Sequence, residues 1–221
     1  MRSTELNGWW RVGSVITAGL MHLLFRVRIR GVEHVPARGP GILAFNHVSV
    51  LDGPVLAIAT ARAASRESRF LVAAEVFRRI FFGWILRTFE QIPIRRGQGD
   101  EHALDEAVDT VAGGALAAIA PEGRVSDDPS GDLQRIHSGV ARIAIPTGAP
   151  VIPVGIWGTQ ARWPRSGLTL RRPLRPALAF AYGPPVLPPS EGADQAAFLE
   201  RVGQAIAEQV RVARTLAGDP G

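Results

Sequence analysis

The stretch GILAFNHVSVLDGP, residues 41–54, runs from an apolar segment through a polar turn to Asp52-Gly53-Pro54. An apolar run of that length, closed by turn residues, predicts a buried strand over 41–46. Pro near a first helical position predicts a helix directly behind it. A strand feeding a helix is half of a βαβ unit, and the flanking sequence repeats the alternation. Upstream, RVRIRG (26–31) has the two-residue period of a half-exposed strand. Downstream, FLVAA (70–74), QIPI (91–94), LAAIA (116–120), VIPVGIW (151–157) and ALAFAY (177–182) read as further strands. Helices are expected over an amphipathic, basic segment at 75–88, over about 101–113, and over 137–148, a short helix ended by Gly148. A last helix runs to about 216, capped by Ser190-Glu191, with Phe198, Val202 and Ile206 on one face. Alternating strands and helices predict one α/β domain over 31–221, its central sheet largely parallel or mixed and flanked by helices.

The 221 residues fall between one and two domains at ~150 residues each, so one domain with an added N-terminal element (1–30) fits best. That element opens on an apolar segment, WWRVGSVITAGLMHLLF (9–25). Arg11 and Arg26 bound an apolar run shorter than the ~20 residues a spanning helix needs. Arg26, Arg28 and Arg30 stand where a secretory cleavage site would want small residues. Trp9 and Trp10 at one end, with arginines at both, predict an amphipathic helix lying in a membrane interface. The alternative is a helix packed on the main domain.

Composition removes several chemistries. The absence of cysteine excludes disulfides, thiolate catalysis and Cys-containing zinc sites. No lysine occurs either, so P-loop, Schiff-base and pyridoxal-phosphate lysines are excluded. His22, His34, His47, His102 and His137 are scattered without an H-E-x-x-H pair, and Asp127, Asp128 and Asp132 miss the EF-hand spacing; no metal site is expected. No G-x-S-x-G elbow supports a serine hydrolase. The net charge of +5 is too small to argue for nucleic acid. Its distribution says more: residues 1–96 carry 14 Arg against 6 acids, whereas 97–132 carry 1 against 9. A basic front half beside apolar segments suits an anionic membrane surface or a phosphorylated ligand.

The candidate chemistry sits where strand 41–46 gives way to its helix, at the strand end where α/β proteins build sites. Asn46-His47-Val48-Ser49-Val50-Leu51-Asp52 places a histidine, able to act as a base near neutral pH, five residues before a carboxylate. Asp52 can accept from the far ring nitrogen, which holds the tautomer and stabilises the imidazolium. In the competing reading Asp52 only caps the helix. Three further segments accompany this one: Ile92-Pro93-Ile94-Arg95-Arg96-Gly97, Pro121-Glu122-Gly123-Arg124-Val125-Ser126 and Val151-Ile152-Pro153-Val154.

With these four segments in order over 46–154, the chain resembles the glycerolipid acyltransferases of the lysophosphatidate (1-acylglycerol-3-phosphate O-acyltransferase) type. Their boxes are N-H-x-x-x-x-D, a strand ending P-[IV]-x-R, a turn F-P-E-G-T-R-S, and V-I-P-V. Here Ala120 replaces the Phe, and Arg124 stands one position earlier than the family's arginine. The resemblance implies transfer of a fatty acyl group from acyl-CoA or acyl-carrier protein to lysophosphatidic acid, with no cofactor beyond the acyl donor. It implies His47 and Asp52 as the catalytic pair and Arg96, helped by Arg124, on the acceptor phosphate. Glu122 is expected to hold an arginine or an acceptor hydroxyl, and Gly123 to let the backbone approach the ligand closely. The expected location is peripheral, on the cytoplasmic face of the cell membrane, with no nucleic-acid partner. Other lysophospholipid or glycolipid acceptors remain open, as does a noncatalytic module binding anionic membranes or nucleic acid.

Overall fold

Apolar runs become strands here because both of their faces are covered. The computed structural model describes residues 8–95, 100–126, 128, 131–169, 172–190 and 194–219. Helix α1 (Gly8–Leu24) leads into β1 (Arg26–Arg30), followed by β2 (Gly41–Phe45), α2 (Asp52–Ala63) and β3 (Ser68–Ala73). Next come α3 (Ala74–Phe77), α4 (Ile80–Thr88), β4 (Ile92–Ile94), α5 (Glu101–Ala112) and β5 (Leu116–Ile119). The chain continues through α6 (Gly139–Thr147), β6 (Val151–Trp157), β7 (Ala177–Tyr182) and α7 (Gln195–Ala217).

The strands form one seven-stranded sheet in the order β1-β7-β6-β2-β5-β3-β4. β2 to β6 are parallel; β7 runs antiparallel to β6, and β1 follows β7. The sheet is therefore mixed, as expected. Side chains alternate between two cores. Leu43 and Phe45 of β2 face the layer of α1 and α2, together with Ile152, Val154, Leu178 and Phe180. Ile42 and Ala44 face α5, α6 and α7 with Val140, Ile143, Val202 and Ile206. Each fully buried Leu, Ile or Phe contributes about 1.5–3 kcal/mol, which is why the central strands are apolar at every position.

After β2 the chain moves to β3 and β4, returns as β5 beside β2, and then crosses to β6 on the other flank of β2. The strand order thus reverses at β2. A crevice opens at such a reversal beyond the carboxyl ends of parallel strands, and the end of β2 carries Asn46 and His47.

Three expectations change in detail. The segment 75–88 is two helices, because Arg79 is extended and restarts the chain as the cap of α4. Helix α7 is capped by Asp194, whose carboxylate accepts from the N–H groups of Ala196 and Ala197, and not by Ser190-Glu191; Glu191 lies outside the described residues. Helix α1 packs one stripe on the domain and leaves apolar residues exposed on the other side. Trp10, Ser14, Ala18 and Met21 are buried against the domain, with Trp10 edge-on to Phe89 at 5.0 Å. Trp9, Val12, Val15, Ile16, Leu20 and Leu23 are more than half exposed. Nearby, α4 exposes Ile80, Phe81 and Trp84. Among the described residues no helix is long and apolar enough to cross a membrane.

Candidate active site

Strand β2 ends at Asn46 because its side chain takes over the ladder. The amide Nδ2 donates to the carbonyl of Ile156 at 3.1 Å, and Oδ1 accepts the Ile156 N–H at 2.7 Å. The backbone is then free to turn, and His47 emerges at the sheet edge with its ring edge-on to Phe45.

The sequence pair meets as expected. His47 Nδ1 donates to Asp52 Oδ2 at 3.0 Å; the imidazole is 19% exposed and the carboxylate is fully buried. With the proton on Nδ1, the neutral ring leaves Nε2 as an acceptor. Asp52 is held from several sides. Oδ2 also accepts the N–H groups of Val48 and Ser49, each at 2.7 Å, and Oδ1 accepts the Thr159 hydroxyl at 2.5 Å. Both N–H groups lie before the helix, whose N-cap is Leu51 with no side-chain bond, so Asp52 orders the loop and pairs with His47 and does not cap α2.

Glu122 is buried, and its oxygens accept backbone N–H groups: that of His47 at 2.7 Å and that of Gln134 at 3.1 Å. It therefore braces the His47 backbone, a role different from the expected grip on an arginine or hydroxyl. Burial pushes its carboxyl above the usual range, while the two N–H bonds pull it partly back. The same turn completes the clasp, since the Ser126 N–H donates to the His47 carbonyl at 2.6 Å. Gly123 takes a left-handed conformation at φ 71° and is exposed, with the His137 ring as its neighbour. Its freedom serves this turn. Arg124 is exposed on that turn, two residues past Glu122. Arg96 lies outside the described residues; the N–H of its neighbour Arg95 donates to Asp100 at 2.8 Å.

Ser49, the serine nearest His47 in sequence, is fully buried. Its hydroxyl donates to the Trp163 carbonyl at 2.6 Å and accepts the Leu51 N–H at 3.0 Å. Asn46, Ser126 and Thr159 are contributors that motif reading leaves unassigned. Asn46 lies inside the motif, and Thr159 lies in WGTQ (157–160), directly behind the V-I-P-V strand.

Comparison with known proteins places this site in context. The chain is 33% identical over 153 residues to N-acylphosphatidylethanolamine synthase of Arabidopsis thaliana, covering 66% of this chain and 54% of that protein. It is 28% identical over 138 residues to a chloroplastic 1-acyl-sn-glycerol-3-phosphate acyltransferase of Brassica napus, covering 61% and 38%. The chain thus spans about half or less of these relatives' length. The crystal structure of the 1-acyl-sn-glycerophosphate acyltransferase PlsC from Thermotoga maritima superposes with a TM-score of 0.72 at 23% identity, over 92% of this chain and 78% of that one; the two share a fold. The sequence profile described as Acyltransferase matches residues 26–157, a span that runs from β1 to the end of β6 and holds His47, Asp52 and Glu122. By that match the chain belongs to the acyltransferase family.

Proposed function

We propose that this protein transfers a fatty acyl group from acyl-CoA or acyl-carrier protein to the free hydroxyl of lysophosphatidic acid, giving phosphatidic acid. The observation that carries the reading is the His47–Asp52 pair: a partly exposed imidazole tied through Nδ1 to a buried carboxylate. His47 Nε2 takes the hydroxyl proton as that oxygen attacks the thioester carbonyl. Positioned base catalysis of this kind contributes ~10²–10⁴-fold. The C–S bond then breaks, and the thiolate leaves with the proton from the imidazolium, which Asp52 stabilises meanwhile. Transfer is direct. Ser49, the nearest hydroxyl in sequence, has its Oγ engaged on both sides and no exposed surface, unlike an activated nucleophile. Arg96 and Arg124 grip the acceptor phosphate through charge-assisted hydrogen bonds.

The site works at a lipid surface. The exposed apolar residues of α1 and α4, with Arg11, Arg78 and Arg79 near them in sequence, suit peripheral binding to an anionic leaflet on the cytoplasmic side. A second acceptor class has support in the likeness to N-acylphosphatidylethanolamine synthase: the amine of a phosphatidylethanolamine. One assay separates the two. Offered a panel of lysolipids and phosphatidylethanolamine with long-chain acyl-CoA or acyl-carrier protein, the protein should yield phosphatidic acid by mass spectrometry. An N-acylated product without phosphatidic acid would install the second reading, and no acylated product would remove both.

A further inference from the structure

We infer that Thr159 is a positioning residue for acyl transfer, acting on His47 through Asp52; this rests on the reading of His47 as the base. The Thr159 hydroxyl donates to Asp52 Oδ1 at 2.5 Å, and both side chains are fully buried. The division of labour between the carboxylate oxygens is what makes the contact matter. Oδ2 receives His47 Nδ1–H and two backbone N–H groups, all from within five residues of Asp52. Oδ1 receives the hydroxyl of a residue 107 positions away. Three donors on one oxygen leave the carboxylate able to tilt about its own axis. The fourth, on the opposite oxygen, fixes the plane in which Oδ2 meets the imidazole. A buried carboxylate also needs donors on both oxygens to carry its charge at low cost.

The segment holding Thr159 is shaped for this contact. Gly158 sits at φ 108°, where a Cβ would lie 1.9 Å from the Ala177 carbonyl oxygen, so the turn out of β6 needs glycine. The Gly158 N–H is taken by the Gln160 side chain at 2.9 Å. A 3₁₀ turn at Thr159–Ala161 follows, and four residues past Thr159 the Trp163 carbonyl accepts the Ser49 hydroxyl. One segment therefore clasps the His47–Asp52 loop twice, and only the Thr159 clasp reaches the carboxylate itself.

Thr159→Val keeps the shape and removes the hydroxyl. It should lower kcat about tenfold or more, the loss expected for one hydrogen bond to a charged group, with the KM for lysophosphatidic acid and for acyl-CoA unchanged. Thr159→Ser should recover turnover to within about threefold, since it restores the donor. In an Asp52→Asn background Thr159→Val should add less than about twofold, because residues acting through one group are not additive. Thr159→Ala, smaller and easier to accommodate, repeats the comparison should the valine variant misfold. A substrate-free readout accompanies these: the Nδ1–H proton resonance of His47, held against Asp52, should broaden by fast exchange in Thr159→Val and return in Thr159→Ser. Full turnover and an unchanged resonance in the folded valine or alanine variant would overturn the inference, as would full additivity with Asp52→Asn. Failure of wild-type protein to acylate any acceptor would instead remove the functional reading, and the resonance would still decide whether Thr159 orders the pair.

Discussion

His47 is held at three points by two parts of the chain: its ring by Asp52, and its N–H and carbonyl by Glu122 and Ser126 of the turn after β5. The ring contact was legible in the sequence because five residues at a strand-to-helix turn leave few other places for Asp52 to point. The backbone contacts were not legible. Glu122 reaches His47 across 75 residues, and no local pattern says that a carboxylate will meet N–H groups before it meets a ligand. Glu122→Gln tests that role. An amide keeps one acceptor but turns its NH2 toward a buried N–H, so the variant should lose about 1–3 kcal/mol and turn over more slowly, with both read from thermal melts and initial rates. The sign of the pH dependence follows from the raised carboxyl. Its folded value lies above its unfolded one, so Glu122 contributes stability below the ordinary glutamate range and loses that contribution as pH rises through the folded value. The melting-temperature advantage of wild type over Glu122→Gln should therefore shrink as pH is raised across that interval. An advantage that grows with pH would mean that the two N–H bonds outweigh burial.

Helices α1 and α4 show how an element can satisfy two demands. One stripe of α1 is spent on the domain, and the residues between are left apolar toward solvent. The apolar run with its flanking Trp and Arg residues marked the helix, but its two apolar faces could not be assigned by hydrophobicity alone, since each reads as buried. The cap of α7 was ambiguous for a related reason. Ser190 and Asp194 both belong to the set of capping residues, and only the path of the chain chooses Asp194. The exposed face carries a prediction. Ile16→Glu and Trp84→Glu should leave melting unchanged, because both side chains project outward. Each should weaken binding to anionic vesicles about tenfold, the value of one inserted apolar side chain. Flotation assays at rising salt should show partial release, from screening of the arginine attraction. Equal flotation of the variants and wild type would place the membrane surface elsewhere.

At the scale of the molecule, strand order puts the pair where three strand ends meet. β2 lies between β5 and β6, so the turn after β5 and the segment after β6 both close on the end of β2. The alternation of elements was readable from apolar runs. The reversal of β7 and β1 was not, because buried strands read alike in either direction. A site assembled from three strand ends, with its nearest serine hydroxyl engaged, favours direct transfer within a ternary complex. Initial rates with both substrates varied should give intersecting double-reciprocal lines. Intact-protein mass spectrometry with acyl-CoA alone should show no acyl adduct on Ser49 or His47; an adduct formed and discharged at the catalytic rate would replace direct transfer with a covalent route.

The most direct test of the account is the turnover of folded His47→Ala protein on vesicles carrying lysophosphatidic acid, with acyl-CoA supplied and phosphatidic acid counted by mass spectrometry. Loss of a positioned base predicts a fall of ~10²–10⁴-fold or more in protein whose cooperative melting shows it folded; some loss of melting temperature accompanies it, since the ring is only 19% exposed and buried Asp52 loses a donor. Near-normal phosphatidic acid production by that variant would contradict the assignment of His47 as the base.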